Sequence, residues 1–137
     1  MTTSLRVRAP RTRNDSLPTA PTGLRLVITR NEGIVVLRAF GEVDAFNADR
    51  FGAQLARLPR PHENIVVDLS PLRFCSVAGI RMLDRLYDRY VAKDVAWVVV
   101  AGPRVGRVLE LAPTISPLPL RARVDEAIHL LVHRQAS

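Results

Sequence analysis

A lone cysteine, Cys75, stands directly before Ser76 in the run Phe74-Cys75-Ser76-Val77-Ala78-Gly79, where an apolar strand and a turn give way to an amphipathic helix. A thiolate is stabilised ahead of a helix N-terminus, which makes Cys75 a formal candidate nucleophile. None of His62, His129 and His133 is tied to it by sequence, however, and an isolated cysteine reads as a small buried hydrophobe. His129 and His133, four residues apart, can share a helix face, but they lack a third ligand and the HExxH pattern, so they read as solvated polar-face residues. Asp44 and Asp68 each end a strand, where a carboxylate caps or turns the chain. Gly102 and Gly106 have neither the spacing nor the lysine of a phosphate-binding loop. With no nucleophile, base and orienting group to assemble, the chain reads as a binding protein and not an enzyme, with no cofactor and no metal.

The elements that position these residues follow from periodicity. Leu24, Leu26 and Ile28 alternate with more polar neighbours, Asn31-Glu32-Gly33 reads as a turn, and Ile34-Val35-Val36-Leu37 follows, which together predict a β-hairpin. Ala45 to Leu58 places Phe51, Leu55 and Leu58 at helical spacing before Pro59-Arg60-Pro61. Residues 64–69 are a buried strand, 69–79 an exposed turn, and the helix 77–91 carries the stripe Ile80, Leu83, Leu86 or Tyr87, and Tyr90. Val95 to Val100, with Trp97 in the core, is a further strand; a helix opens at Gly102-Pro103. A short edge strand is expected within Ile115 to Leu120, and a closing helix carries Val124, Ala127, Ile128 and Leu131. The order β-β-α-β-α-β-α-β-α predicts an α/β fold, a mixed and mostly parallel sheet with an N-terminal β-hairpin and helices mainly on one face. Ala78 and Gly79 in the first turn of a helix are poor helix formers, so something must approach that backbone closely, a neighbouring element or a partner.

At 137 residues there is room for one domain with a core that needs neither metal nor disulfide. One cysteine, no secretory signal and no apolar run near 18 residues point to a soluble, cytoplasmic protein without a membrane span. The net charge of +7 is unevenly spread: residues 1–22 hold four arginines, one aspartate and three prolines, without an apolar face. They read as a flexible basic arm preceding a domain over 23–134 and a tail over 135–137. Attraction of nucleic acid through the arm is the alternative, but the arm has no helix-turn-helix pattern and no interleaved aromatics. A small-molecule-sensing domain is a further alternative.

Two anchors resemble the STAS domains of bacterial anti-sigma factor antagonists. Gly41-Glu42-Val43-Asp44 looks like the family's Gly-Glu-hydrophobic-Asp step after its second strand, and Val67-Asp68-Leu69-Ser70-Pro71-Leu72 with Phe74 to Ile80 looks like its strand, loop and helix start. The resemblance spans roughly residues 23–134 and implies a non-enzymatic partner-switching module. Such a module sequesters a serine-kinase anti-sigma factor of the histidine-kinase-like ATPase type and so frees a sigma factor. The family's helix start usually reads Asp-Ser-Ser-Gly or Asp-Ser-Thr-Gly, with the first serine accepting phosphate. Matched on Gly79, that acceptor falls on Val77, which has no hydroxyl, and the family's Asp falls on Ser76.

Three readings follow: constitutive competence to bind, phosphate on Ser76 instead, or a partner that does not phosphorylate this chain. Ser76 reads more simply as an N-cap, whose replacement by Ala ordinarily costs about 1 kcal/mol. The expected contact surface is Arg73, Ser76, Val77, Ala78, Gly79, Arg81, Asp84 and Arg85, with charges of both signs setting partner choice and register.

Overall fold

A computed structural model of the chain describes residues 3–7 and 23–136. Alternating burial along β2 (Leu24–Asn31) sends Leu24, Leu26 and Ile28 inward, and a tight turn at Glu32-Gly33 returns the chain into β3 (Ile34–Val43), antiparallel to β2. The hairpin is therefore as expected, with both strands longer than their apolar cores. Ahead of it, β1 (Thr3–Val7) pairs antiparallel with β2. Five residues of the expected arm thus pair as a strand on the open edge of β2, and in them Leu5 and Val7 alternate with Ser4 and Arg6. The rest of the expected arm, 8–22, lies outside the described residues.

After α1 (Ala48–Arg57), β4 (Asn64–Asp68) runs parallel to the first half of β3. The second half of β3 takes a different partner. The expected exposed turn 69–79 contains β5 (Leu72–Cys75), parallel to β3 through the pairs Gly41↔Leu72, Glu42↔Phe74 and Val43↔Cys75. Four residues with no alternation carry no periodic signal; the pairing exists because β3 outruns β4. A register shift lies between Gly41 and Glu42, and Gly41 sits at φ 105° with its Cα turned to the Gly23 carbonyl, where a Cβ would come within 2.1 Å of that oxygen. Only glycine permits this approach, and it lets β3 bend from one parallel partner to the other.

The remaining elements are α2 (Val77–Ala92), β6 (Trp97–Val100), α3 (Gly102–Leu111), β7 (Leu120–Arg121) and α4 (Val124–Ala136). Among the described residues the sheet has seven strands in the order β1-β2-β3-β4-β6-β7, with β5 beside β3, and every pair other than β1–β2 and β2–β3 is parallel. The expected edge strand is thus confined to Leu120–Arg121, and the last helix runs past 134 to Ala136, into the expected tail.

One core lies between the sheet and α1, α2 and α3, where Phe51, Leu55, Ile80, Leu83, Leu86 and Val105 meet Leu26, Leu37, Ile65 and Val67. A smaller core on the opposite face sets Ala127 and Leu131 of α4 against Ile34, Val66, Val98 and Val100. Burial on both faces explains why β4 and β6 read as continuous apolar runs. Each fully buried aliphatic side chain of this kind contributes about 1.5–3 kcal/mol.

Candidate protein-binding site

The C-terminal ends of β3 and β5 lie side by side, and each leads into a helix start. From β3, Asp44 Oδ1 accepts the N–H groups of Phe46 and Asn47, both at 2.9 Å. The buried Asn47 closes the loop in return, its Oδ1 accepting the Asp44 N–H at 2.9 Å and its Nδ2 donating to the Glu42 carbonyl at 3.0 Å. Asp44 is a turn-forming carboxylate, as the sequence suggests. Asp68 is likewise structural: fully buried, it accepts from the Ser70 N–H and hydroxyl at 3.0 and 2.6 Å and from Arg38 Nε at 3.1 Å.

From β5, the chain enters α2 through Ser76. Its backbone N–H is held by the Val43 carbonyl at 2.9 Å, and it occupies the N-cap in extended conformation. The expected cap bond, however, is not made. The Gly79 N–H bonds the Ser76 carbonyl at 3.0 Å, while Ser76 Oγ is buried with no hydrogen-bond partner among the described residues. The first turn contains no acidic residue. The helix thus begins with orphan N–H groups that the chain itself leaves uncapped.

Gly79 answers the question raised by its poor helix propensity: a Cβ there would lie 2.6 Å from Cys75 Sγ and 3.0 Å from Val43 Cγ1. What approaches the backbone is the chain's own core. Gly79, one of the residues of the expected contact surface, is buried, and Ala78, another, packs partly against the core. Cys75 is buried beside it, and desolvation pushes its thiol up to about 11, the opposite of what a nucleophile needs.

The expected charged residues divide by what they touch. Arg73 is exposed, 3.8 Å from the exposed Glu42. Arg81 is half exposed and reaches the Pro113 carbonyl at 3.4 Å and Asp84 at 3.6 Å. Asp84 itself is turned onto its own chain, accepting the N–H groups of Ile115 and Ser116 at 3.1 and 3.0 Å, and so pins the loop after α3. Arg85 bonds Asp49 at 2.6 Å and links α2 to α1. Pairs this exposed contribute about 0–1 kcal/mol each to stability.

Between these charges lie large apolar side chains in solvent. Val77, the first residue of α2, is 47% exposed; Phe74, at the end of β5, is 48% exposed; and Phe46, three residues beyond Val43, is 94% exposed. The register that pairs Val43 with Cys75 puts all three at one end of the sheet. Neither phenylalanine is among the residues expected from sequence. Phe74 lies in the stretch read as an exposed turn, and Phe46 in one read as a helix that in fact starts at Ala48.

Outside this region, Trp97 is buried edge-on to Tyr90, and Tyr90 donates its hydroxyl to the Leu55 carbonyl at 2.6 Å. His129 and His133 are exposed and meet edge to face with ring centroids 3.9 Å apart. Among the described residues no group of three metal-ligating side chains comes together, and no helix is long and apolar enough to cross a membrane.

Comparison with known proteins accords with this geometry. Osmosensory protein A of Mycobacterium tuberculosis is 32% identical over 100 residues, covering 70% of this chain and 62% of that protein, so the chain spans less than two thirds of that relative's length. The structure of an anti-sigma factor antagonist from Mycobacterium paratuberculosis superposes with a TM-score of 0.67 at 24% identity, covering 82% of this chain and 97% of the other. That of a candidate anti-sigma factor antagonist from Thermotoga maritima superposes with a TM-score of 0.62 at 15% identity, covering 77% and 92%. At these identities the two structures share the fold. The sequence pattern of the STAS domain matches residues 25–127, which contain both anchors and the whole of the α2 start with its surroundings. This chain belongs to the STAS domain family.

Proposed function

We propose that this chain is an anti-sigma factor antagonist-like binding module that sequesters a serine-kinase anti-sigma factor of the histidine-kinase-like ATPase type. The contact surface is the start of α2 with its surroundings: Phe46, Phe74 and Val77 as apolar anchors, Arg73 and Arg81 as the exposed charged rim. The observation that carries the reading is the pairing of exposed Phe74 and Val77 beside an uncapped helix start in a STAS domain. A protein surface that leaves apolar side chains and orphan N–H groups together is suited to a partner that covers both. The description of the structural neighbours as anti-sigma factor antagonists supports the same partner class.

Control by phosphate has no acceptor here. Val77 lacks a hydroxyl, and Ser76 Oγ is buried, so a kinase would have to open the turn to reach it. The module is accordingly binding-competent at all times, and its activity follows its concentration.

Isothermal titration against a purified anti-sigma kinase, with and without prior incubation in Mg-ATP, tests this. Binding should be the same in both arms and the intact mass of the chain unchanged. Arg73→Glu with Arg81→Glu should weaken binding at least about tenfold, or about 1.4 kcal/mol. Unchanged affinity in that double variant sinks the surface. A phosphate that appears on the chain and is lost in Ser76→Ala sinks constitutive competence.

A further inference from the structure

A cleft of about 740 Å³ opens beside the edge of β6, between Tyr87 of α2, Trp97 and Val98 of β6, Pro117 and Pro119 of the loop before β7, and Leu130 and Arg134 of α4. Its volume lies in the range of ligand sites, and it is lined from both faces of the sheet. The floor is an unfinished strand edge. Ala96 and Val100 accept the N–H groups of Ile65 and Leu69, so alternate residues of β6 turn their backbone to β4, and Trp97 and Val99 turn theirs the other way. Val99 finds β7, donating to the Pro119 carbonyl at 2.8 Å, but the β6–β7 pairing covers only Val99 and Val100.

Among the described residues β7 cannot be continued along this edge. Continued in the same register, the Trp97 carbonyl would need the N–H of residue 119, which is proline and has none. Residues 116–120 instead bond one another, Leu118 N–H to the Ser116 carbonyl and Leu120 N–H to the Leu118 carbonyl, while Asp84 draws Ile115 and Ser116 towards α2. The Trp97 N–H and C=O therefore face the cleft. The rim carries Arg134 and His133, and no acidic side chain lines it. Leu130 is partly in solvent there.

We propose that this cleft binds an extended apolar peptide segment bearing a carboxylate, which adds to the sheet beside β6. The Trp97 N–H and C=O pair with one residue of the peptide, apolar side chains enter between Tyr87, Pro117 and Leu130, and Arg134 meets the carboxylate. This site is separate from the α2 start and holds or fails independently of the partner proposed above.

Trp97 is the only tryptophan, so its emission reports occupancy directly. The probe is the hexapeptide acetyl-Thr-Val-Thr-Val-Thr-Val with a free C-terminal carboxylate, titrated into the full chain. A saturable change in Trp97 emission is expected. The same peptide N-methylated at its two central residues keeps its side chains and loses its backbone donors, and should bind at least tenfold more weakly. Leu130→Glu, at a partly exposed position, should reduce affinity at least tenfold with an unaltered circular-dichroism melt; Arg134→Ala should weaken the acid but not its C-terminal amide. No saturable change up to millimolar peptide overturns the proposal, as does equal binding of the N-methylated peptide, which would mark a simple apolar pocket. A peptide-independent emission change that tracks dimer formation in sedimentation would assign the cleft to a second copy of the chain and overturn it too.

Discussion

The starts of α1 and α2 leave the same end of the sheet from adjacent strands, β3 and β5, yet they are built in opposite ways. At α1 the side chain at the N-cap makes no cap bond either, but the turn before the helix is closed internally: Asp44 and Asn47 exchange hydrogen bonds and Asn47 also holds the Glu42 carbonyl. At α2 the N-cap serine bonds nothing through its side chain, and the first residue of the helix is an exposed valine. The difference teaches where stability and recognition separate. A satisfied turn is a fixed support with little left to offer a partner, whereas an unsatisfied one keeps donors and apolar surface available. Gly79 makes the second arrangement tolerable, because its missing side chain lets Val43 and Cys75 hold the helix start from below without any cap.

The comparison is most exposed to breakage at Asn47. Asn47→Ala strands the Asp44 N–H and the Glu42 carbonyl in a partly buried turn, and should cost about 1–3 kcal/mol in urea unfolding, the range for losing such hydrogen bonds. A loss below about 1 kcal/mol would mean that the α1 start is no more invested than its neighbour. Next is Gly79→Ala, where helix propensity favours the change by about 1 kcal/mol and overpacking against Cys75 and Val43 opposes it by about 1–3 kcal/mol. The net expectation is a modest destabilisation that Cys75→Ala relieves, so the double-mutant cycle should show favourable coupling of about 0.5 kcal/mol or more. Additivity would remove Sγ as the cause. The smallest effect is expected at Ser76→Ala. A working N-cap loses about 1 kcal/mol on this change; here, with Oγ unpartnered, the unfolding midpoint should move by less than about 0.5 kcal/mol in either direction. A full-sized loss would restore the cap at α2.

Much of this was legible in the chain. The alternation of Leu24, Leu26 and Ile28, the stripe Ile80, Leu83, Leu86 and Tyr90, and the runs at 64–68 and 97–100 all read correctly because burial on a helix or strand imposes a period on neighbouring residues. The strands β1 and β5 were not legible. Each is short, and each owes its pairing to an edge left open by a strand distant in sequence. The α2 start was half legible: Ser76 stands at the N-cap position, and Arg73, Val77 and Arg81 are exposed, but Asp84 turned out to hold a loop of its own chain and Gly79 to face the core.

By itself, then, the amino-acid sequence determined the chemistry on offer: a valine without a hydroxyl at position 77, one cysteine, and a proline at 119 that cannot donate to a neighbouring strand. Such properties belong to residues singly or to their spacing, and no fold can change them. Only the tertiary structure decided how those residues are used. It turned Gly79 towards Val43, left Ser76 Oγ without a partner, gathered Phe46, Phe74 and Val77 at one end of the sheet, and left Trp97 at an unfinished edge. Each of these depends on contacts between segments far apart in the chain, and long-range pairing and packing leave no period in the local sequence.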